Sequence, residues 1–235
     1  MHWLAIINPR SGHQKAPEEV WQLKNLLENL FPDEIEIFVT SRIGDALLQA
    51  RSRRDVKGFV AVGGDGTVFD IINGMDISWQ ELAILPAGTG NGLARELKIE
   101  NSSRAIEALR GKSRREIDLI RVAAKFVGGE ERSWLVATTA AIGYAADVVE
   151  LANAYLKALG PFCYPIGSVI QVGLQRSING RWSSNGKSPK SLDATNLLIN
   201  NTKYAGDFEV FPKASCFDGK MNVLLAKPGF FGQIL

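Results

Sequence analysis

Cysteine and histidine are scarce in this chain, with two of each among 235 residues. Cys163 and Cys216 have no CxxC spacing, and His2 and His13 cannot build a histidine-rich metal centre. So few thiols suit a reducing cytoplasm. Charge of one sign is also lacking. The 27 basic and 25 acidic residues leave a net charge of +2, without the excess that nucleic-acid binding would require. No secretory leader is expected, because Met1-His2-Trp3 runs into a strand-like segment without a basic n-region. Long hydrophobic runs are missing too. The most apolar stretch, 134–149, is interrupted by Thr138, Thr139, Gly143 and Asp147, so it reads as a buried strand followed by a helix start rather than a membrane span. A hydrophobic content of 46% with 22% charged residues fits a globular protein with a sizeable core.

Short apolar runs alternate with helical patterns in the first half. Leu4–Ile7, Ile35–Val39, Phe59–Val62 and Leu82–Leu85 read as strands. Between them, Pro17–Phe31 places Val20, Leu23, Leu27 and Leu30 on one helical face, and Ile43–Arg53 turns Ala46, Leu47 and Ala50 inward. This alternation predicts an α/β domain with a mostly parallel sheet over residues 1–117. The character then changes. Ile117–Ala123, Trp134–Thr139, Asn196–Ile199 and Met221–Leu225 are strand-like, with one helical segment near Asp147–Leu159, so 118–235 is expected to form a strand-rich second domain.

The most informative turn is Gly63-Gly64-Asp65-Gly66-Thr67, directly after the strand ending at Val62. Glycines let an anion approach the backbone, and the helical pattern from Val68 would add the positive end of its dipole. Asp65 would be a lone carboxylate among phosphate binders, suited to bridging a metal or accepting a proton. The alternative is a plain strand–turn–helix connection with the aspartate as cap. A second glycine-rich turn, Pro86 to Arg95, begins as Gly88-Thr89-Gly90 but has Leu93 where GxGxxG needs glycine. No GxxxxGK[ST] motif occurs, so neither a standard dinucleotide site nor a P-loop is present. Thr89 and Asn91 can donate to a nucleotide or substrate, and Arg95 is either a phosphate partner or a solvated helix charge. A third polar turn, Asn8-Pro9-Arg10-Ser11-Gly12 with Lys15 beyond it, offers small donors and a cation. All three turns follow strands of one parallel sheet, where ligands bind.

In order, Asn8-Pro-x-Ser-Gly12, Gly63-Gly-Asp-Gly-Thr67, Ile72-Asn73-Gly74 and Leu85-Pro-Ala-Gly-Thr-Gly-Asn91 resemble the diacylglycerol kinase catalytic domain family, which includes bacterial lipid kinases and sphingosine kinases. Ile117-Asp118-Leu119, the 200–206 turn and Pro212 to Gly219 match more loosely, so the resemblance spans most of the chain. It implies an α/β domain followed by a β-sandwich-like domain, with ATP and lipid meeting in the cleft. It implies Mg²⁺-dependent phosphorylation of a lipid hydroxyl on a diacylglycerol- or sphingoid-like acceptor. Carried over by position, Asp65 and Asp118 would be the catalytic carboxylates. Asn8, Ser11, Gly12, Lys15, Gly63, Gly64, Gly66, Thr67, Gly88, Thr89 and Asn91 would hold the nucleotide. Asp65 and Asp218 would be metal ligands. The protein would be cytoplasmic and touch a membrane surface peripherally.

Three departures stand out. Asn91 is followed by Gly92, where bacterial lipid kinases often carry Asp, which brings the segment closer to the sphingosine kinase-like branch. Phe217-Asp218-Gly219, with Asn222 after it, replaces a more acidic turn, so Asp218 can equally be a turn residue. The family's late Asp-Gly-Glu-like turn is not reached before Leu235. The second domain would therefore be incomplete, with open sheet edges that invite a homodimer. A catalytically impaired relative is the alternative reading, and an NAD kinase-like enzyme, which shares the GGDG turn, is a more distant one. The apolar stretch Tyr155–Leu174 is expected to pack inside the second domain, with an interfacial membrane element as the alternative.

Overall fold

The structure, a computed structural model, describes residues 2–12, 17–31, 34–99, 101–111, 114–156, 162–172, 176–183, 185–206 and 208–227. Two compact units divide the chain. The first takes residues 1–138 and 201–220, and the second takes 139–200 and 221–235.

The first unit begins with β1 (Trp3–Ile7), α1 (Pro17–Leu30), β2 (Ile35–Val39), α2 (Asp45–Ser52), β3 (Gly58–Gly63), α3 (Asp65–Gly74), β4 (Glu81–Pro86), α4 (Gly92–Glu96) and α5 (Ser102–Arg110). The four strands form a parallel sheet in the order β2-β1-β3-β4. Every residue of β3 is buried, as a strand covered on both faces requires. Alternate residues supply two cores. Leu4, Ile6, Phe59 and Ala61 pack with Ala46, Ala50, Ile71 and Ile72 of α2 and α3. Ala5, Ile7, Val60 and Val62 pack with Leu27 of α1 and Ala105 of α5. Each fully buried large side chain removes enough apolar surface from water to contribute about 1.5–3 kcal/mol. The chain leaves β1 toward β2 on one side and reaches β3 on the other. The carboxyl ends of β1 and β3 therefore flank the point where strand order reverses, the place where doubly wound sheets open a crevice.

The antiparallel hairpin β5 (Ile120–Lys125) and β6 (Glu131–Val136) follows, turning through left-handed Gly128 and Gly129. It belongs to the first unit rather than the second. Asn73 of α3 donates its amide to the Leu135 carbonyl (2.9 Å) and accepts the Leu135 N–H (2.8 Å), tying β6 to that helix. The compact units therefore do not divide near residue 118, where the change in composition placed the boundary. Composition registers the switch to antiparallel strands but not this long-range amide pairing.

The second unit contains β7 (Thr139–Gly143), α6 (Tyr144–Leu151), a π-helical turn (Ala152–Leu156), α7 (Cys163–Val172), β8 (Ile178–Trp182), β9 (Lys190–Ala194) and β10 (Asn196–Asn200). The chain then returns to the first unit through the small hairpin β11 (Tyr204–Ala205) and β12 (Phe208–Glu209). Finally β13 (Asn222–Ala226) completes a three-stranded antiparallel sheet ordered β13-β10-β7. Strands β8 and β9 form a separate hairpin. An α/β first half and antiparallel sheets after it agree with the expected fold class. The helix foreseen over 147–159 starts at Tyr144, where the Tyr144 N–H bonds the Thr195 carbonyl (3.0 Å), and passes into the π turn, with residues 157–159 outside the described residues.

Helices α2 and α3 meet at Gly74. A Cβ there would lie 2.5 Å from the Leu47 carbonyl oxygen and 2.7 Å from the Ala50 Cβ. Gly74→Ala is therefore expected to destabilise the fold by about 1–3 kcal/mol, read as a lower urea midpoint at unchanged slope. Cys216 is fully buried, and burial pushes its thiol up to about 11. Native protein at pH 8 should leave Cys216 unmodified by iodoacetamide, and modification should appear only on unfolding.

Candidate functional site

Three loops converge at the carboxyl edge of the parallel sheet. The first, after β1, is held down by the Asn8 N–H on the Val62 carbonyl (3.0 Å). The Asn8 side chain donates to Thr67 Oγ1 (3.1 Å) and accepts the Arg10 N–H (3.0 Å). Buried Ser11 places its Oγ 3.4 Å from Thr67 Oγ1 and accepts the Gly64 N–H at 3.4 Å. Two loops that lie 56 residues apart in sequence are thus joined through hydroxyls.

The second loop is the Gly63–Thr67 turn. Gly64 caps α3, and a Cβ on Gly63 would fall within 2.3 Å of Thr67 Oγ1. The third runs from Pro86 to Gly92. Its Gly88 sits against the second loop so closely that a Cβ would come 2.5 Å from the Gly64 Cα. Gly12 is left-handed (φ 68), and its Cβ would meet the Ala87 carbonyl oxygen at 2.8 Å. Backbone packed on backbone explains glycine at 12 and 88, and the Thr67 side chain fills the space at Gly63.

Asp65 closes the arrangement. As the first residue of α3, it accepts the Gly92 N–H on Oδ2 (2.9 Å) and the Leu93 N–H on Oδ1 (3.1 Å). One carboxylate thus starts one helix and caps the next, α4. Charge-assisted bonds of this kind are roughly twice as strong as neutral ones. Asn91, expected to donate to a ligand, instead closes its own turn. Its amide accepts the Gly88 N–H (2.9 Å) and donates to the Gly88 carbonyl (2.7 Å). Gly66 and Thr89 are exposed, and nothing lies within 4 Å of where a Gly66 Cβ would be. The Arg95 guanidinium stacks 3.8 Å over the Tyr204 ring, and Glu96 accepts the Lys203 N–H (3.3 Å), so the 203–204 turn docks on α4.

The structure therefore gathers Asn8, Ser11, Gly12, Gly63, Gly64, Asp65, Gly66, Thr67, Gly88, Thr89 and Asn91 at one edge. Lys15 lies outside the described residues. Asp118 and Asp218 belong to a different hydrogen-bond network. Asp118 accepts the Gly219 N–H on Oδ2 (2.7 Å), and its own N–H bonds the Cys216 carbonyl (2.8 Å). Its carbonyl accepts the buried Asn201 amide (2.7 Å). Asp218 accepts the Lys220 N–H (3.0 Å) in an exposed turn. Among the described residues no hydrogen bond joins either one to Asp65, and no three acidic, histidine or cysteine side chains gather as a metal site.

Asp70 was not singled out in the sequence. It sits on α3, one helical turn after Gly66, half-buried, and among the described residues its carboxylate has no hydrogen-bond partner. The available signal was a carboxylate inside an otherwise apolar helix start. Burial raises its pKa above the ordinary 3.8. A carboxyl whose folded pKa is raised contributes stability below its unfolded value and loses it as pH rises through the folded one. Asp70→Asn should therefore raise the melting temperature at pH 7, with the gain shrinking as pH falls through the raised folded pKa and gone below 3.8.

Residues 2–122 match the diacylglycerol kinase catalytic domain. A diacylglycerol kinase from Mycobacterium tuberculosis is 30% identical over 231 residues, covering 95% of this chain and 72% of its own length. A diacylglycerol kinase from Staphylococcus aureus is 25% identical over 235 residues, covering 97% of this chain and 71% of its own. Among solved structures, a diacylglycerol kinase from Bacillus anthracis superposes with a TM-score of 0.68 at 24% identity, over 96% of this chain and 73% of that one, a likeness of fold.

Proposed function

The chain belongs to the diacylglycerol kinase catalytic domain family, and on that footing we propose that it transfers the γ-phosphate of ATP to the hydroxyl of a diacylglycerol-like lipid. The observation that carries this reading is the convergence of three glycine-bearing loops on one edge, clasped by Asp65. Phosphoryl transfer asks a protein mainly to position groups and neutralise charge. The opening turn of α3 presents backbone N–H groups and the positive end of the helix dipole. Gly66 leaves that backbone open to a phosphate, and exposed Thr89 offers a hydroxyl on the facing loop. Ser11, Thr67 and Asn8 hold one another and hence the shape of the cradle.

Mg²⁺ fits this edge. An ionised carboxylate has about four acceptor sites, and two N–H bonds leave Asp65 capacity for a cation. Magnesium commonly binds through one or two carboxylates plus phosphate oxygens and water. When bound, it would neutralise charge on the phosphates. We assign Asp65 both roles, orienting α4 and facing the metal. Asp118 and Asp218 are assigned to holding the 215–220 turn. Since ATP is the donor, the protein works on the cytoplasmic side of a membrane, in peripheral contact with it. Among the described residues no helix is long and apolar enough to cross one.

The decisive assay is radiolabelled phosphate transfer from ATP to mixed micelles of diacylglycerol, monoacylglycerol, phosphatidylglycerol, sphingosine or ceramide. Labelled diacylglycerol is expected, with the rate in Asp65→Asn reduced by about 10²-fold or more. Label on sphingosine or ceramide instead would move the acceptor to the sphingoid class. ATP binding without any labelled lipid would sink the kinase reading in favour of a non-catalytic relative, and label on a soluble acceptor in favour of a metabolite kinase. Gly66→Ala separates site from fold. With open space around it and helical backbone, alanine should keep or raise stability by about 0.5–1 kcal/mol. It should nevertheless raise the KM for ATP, because the methyl group occupies the phosphate approach.

A further inference from the structure

Helix α3 carries two carboxylates with opposite surroundings. Asp65, in its first turn, accepts two backbone N–H groups. Asp70, one turn after Gly66, is half-buried, and among the described residues nothing donates to it. Its own helix offers it no free side-chain donor. There is no lysine or arginine on α3. Asn73, three residues on, has both amide hydrogens engaged, one on the Phe69 carbonyl (2.8 Å) and one on the Leu135 carbonyl of β6 (2.9 Å). The Thr67 hydroxyl, three residues back, is turned to the first loop, where it meets Asn8 and Ser11. An ionised carboxylate can only accept, at about four sites across its two oxygens. Burial without a donor costs stability and pushes the Asp70 carboxyl above its ordinary 3.8. Groups perturbed by burial in this way cluster at functional sites.

Helix geometry sets where the side chain leans. Cα–Cβ bonds tilt toward the helix N-terminus, so a helical residue covers the surface of the turn before its own Cα. For Asp70 that surface belongs to Gly66, four residues earlier, at a Cβ separation of about 5–6 Å. Gly66 is exposed, and nothing stands within 4 Å of where its Cβ would be. The buried stripe of α3, formed by Thr67, Val68, Ile71, Ile72 and Gly74, faces the core and leaves Gly66, Asp70 and Asn73 on the outer face. One end of that face is the phosphate cradle. The other is closed by β6 through Asn73 and Leu135, within the same compact unit. The space that Asp70 overlooks therefore suits a hydrogen-bond donor that also approaches the phosphates. Asp65 already faces the metal. The hydroxyl that receives the phosphoryl group is the remaining donor of the reaction, and it brings the missing hydrogen bond without a charge. A carboxyl moved up by burial is also a stronger base toward that proton.

We propose that Asp70 is a catalytic residue, its carboxylate accepting the hydrogen bond of the lipid hydroxyl over the Gly66 turn and taking its proton as transfer proceeds. This role rests on the lipid kinase reading, with ATP as donor. The hydroxyl O–H bond breaks, and its proton passes to Asp70. The hydroxyl oxygen forms the new bond to the γ-phosphorus. The bond from that phosphorus to the β,γ-bridging oxygen breaks, and its electron pair leaves with ADP. Asp70 then releases the proton to solvent. The test measures transfer from radiolabelled ATP to diacylglycerol in mixed micelles, with kcat and the KM for ATP taken separately in wild type, Asp70→Asn and Asp70→Glu. Asp70→Asn should lose about 10²-fold or more in kcat at unchanged KM for ATP and unchanged Mg²⁺ dependence. Its melting temperature at pH 7 should not fall, which separates the loss from any failure of folding. Asp70→Glu keeps the carboxylate and should recover about tenfold of the lost rate. A wild-type kcat in Asp70→Asn would overturn the role and leave the kinase reading standing. So would a loss confined to the KM for ATP, or one that excess Mg²⁺ restores, because Asp70 would then hold the nucleotide or the metal. A lowered melting temperature with the activity loss would make the residue structural and overturn the role as well. No labelled lipid from wild type would overturn the kinase reading itself, and this role with it.

Discussion

The carboxylate of Asp65 holds two helix starts at once. It begins α3, and both of its oxygens accept N–H groups that open α4, 27 and 28 residues further along. The helix after β3 is thereby locked to the helix after β4 at the edge where their strands end. The same lock sets how near Gly64 and Gly88 come, and only glycines allow that approach. Ser11, Asn8 and Thr67 then fix the first loop to this pair. The open N-terminal turn of α3 is what these contacts leave free for an anion.

The two units solve different physical problems. The first buries a parallel sheet on both faces, so its strands read as continuous apolar runs and its ligand edge is built from backbone. The second makes short antiparallel strands and packs its helices with one face inward only. It leaves Ile166, Val169 and Ile170 of α7 exposed to solvent.

Much of the first unit was legible because period and turn chemistry act locally. The four parallel strands and the helices between them follow from apolar spacing, and the three polar turns follow from glycine and asparagine at strand ends. Asn91 was harder to read, since the same amide that can donate to a ligand also closes its own turn at Gly88. Asp70 escaped notice because an aspartate on a helix is ordinarily solvated, and only packing made this one half-buried. The hairpin β5–β6 joins the first unit through Asn73 and Leu135, 62 residues apart. No local pattern encodes a pairing of that separation.

By itself the sequence determined the α/β class, the order of the four parallel strands and the helices between them, the placement of the glycine-rich turns at strand ends and the family resemblance. These depend on residue spacing and on backbone angles that few residues tolerate. Only the tertiary structure decided that Asp65 clasps α4 while Asp118 and Asp218 brace a separate turn, because a carboxylate's partners are chosen by distance in space. It also decided which side of α7 faces inward. Periodicity marks an apolar stripe, but whether protein or solvent lies against it depends on how Gly167 and Tyr144 seat the helix.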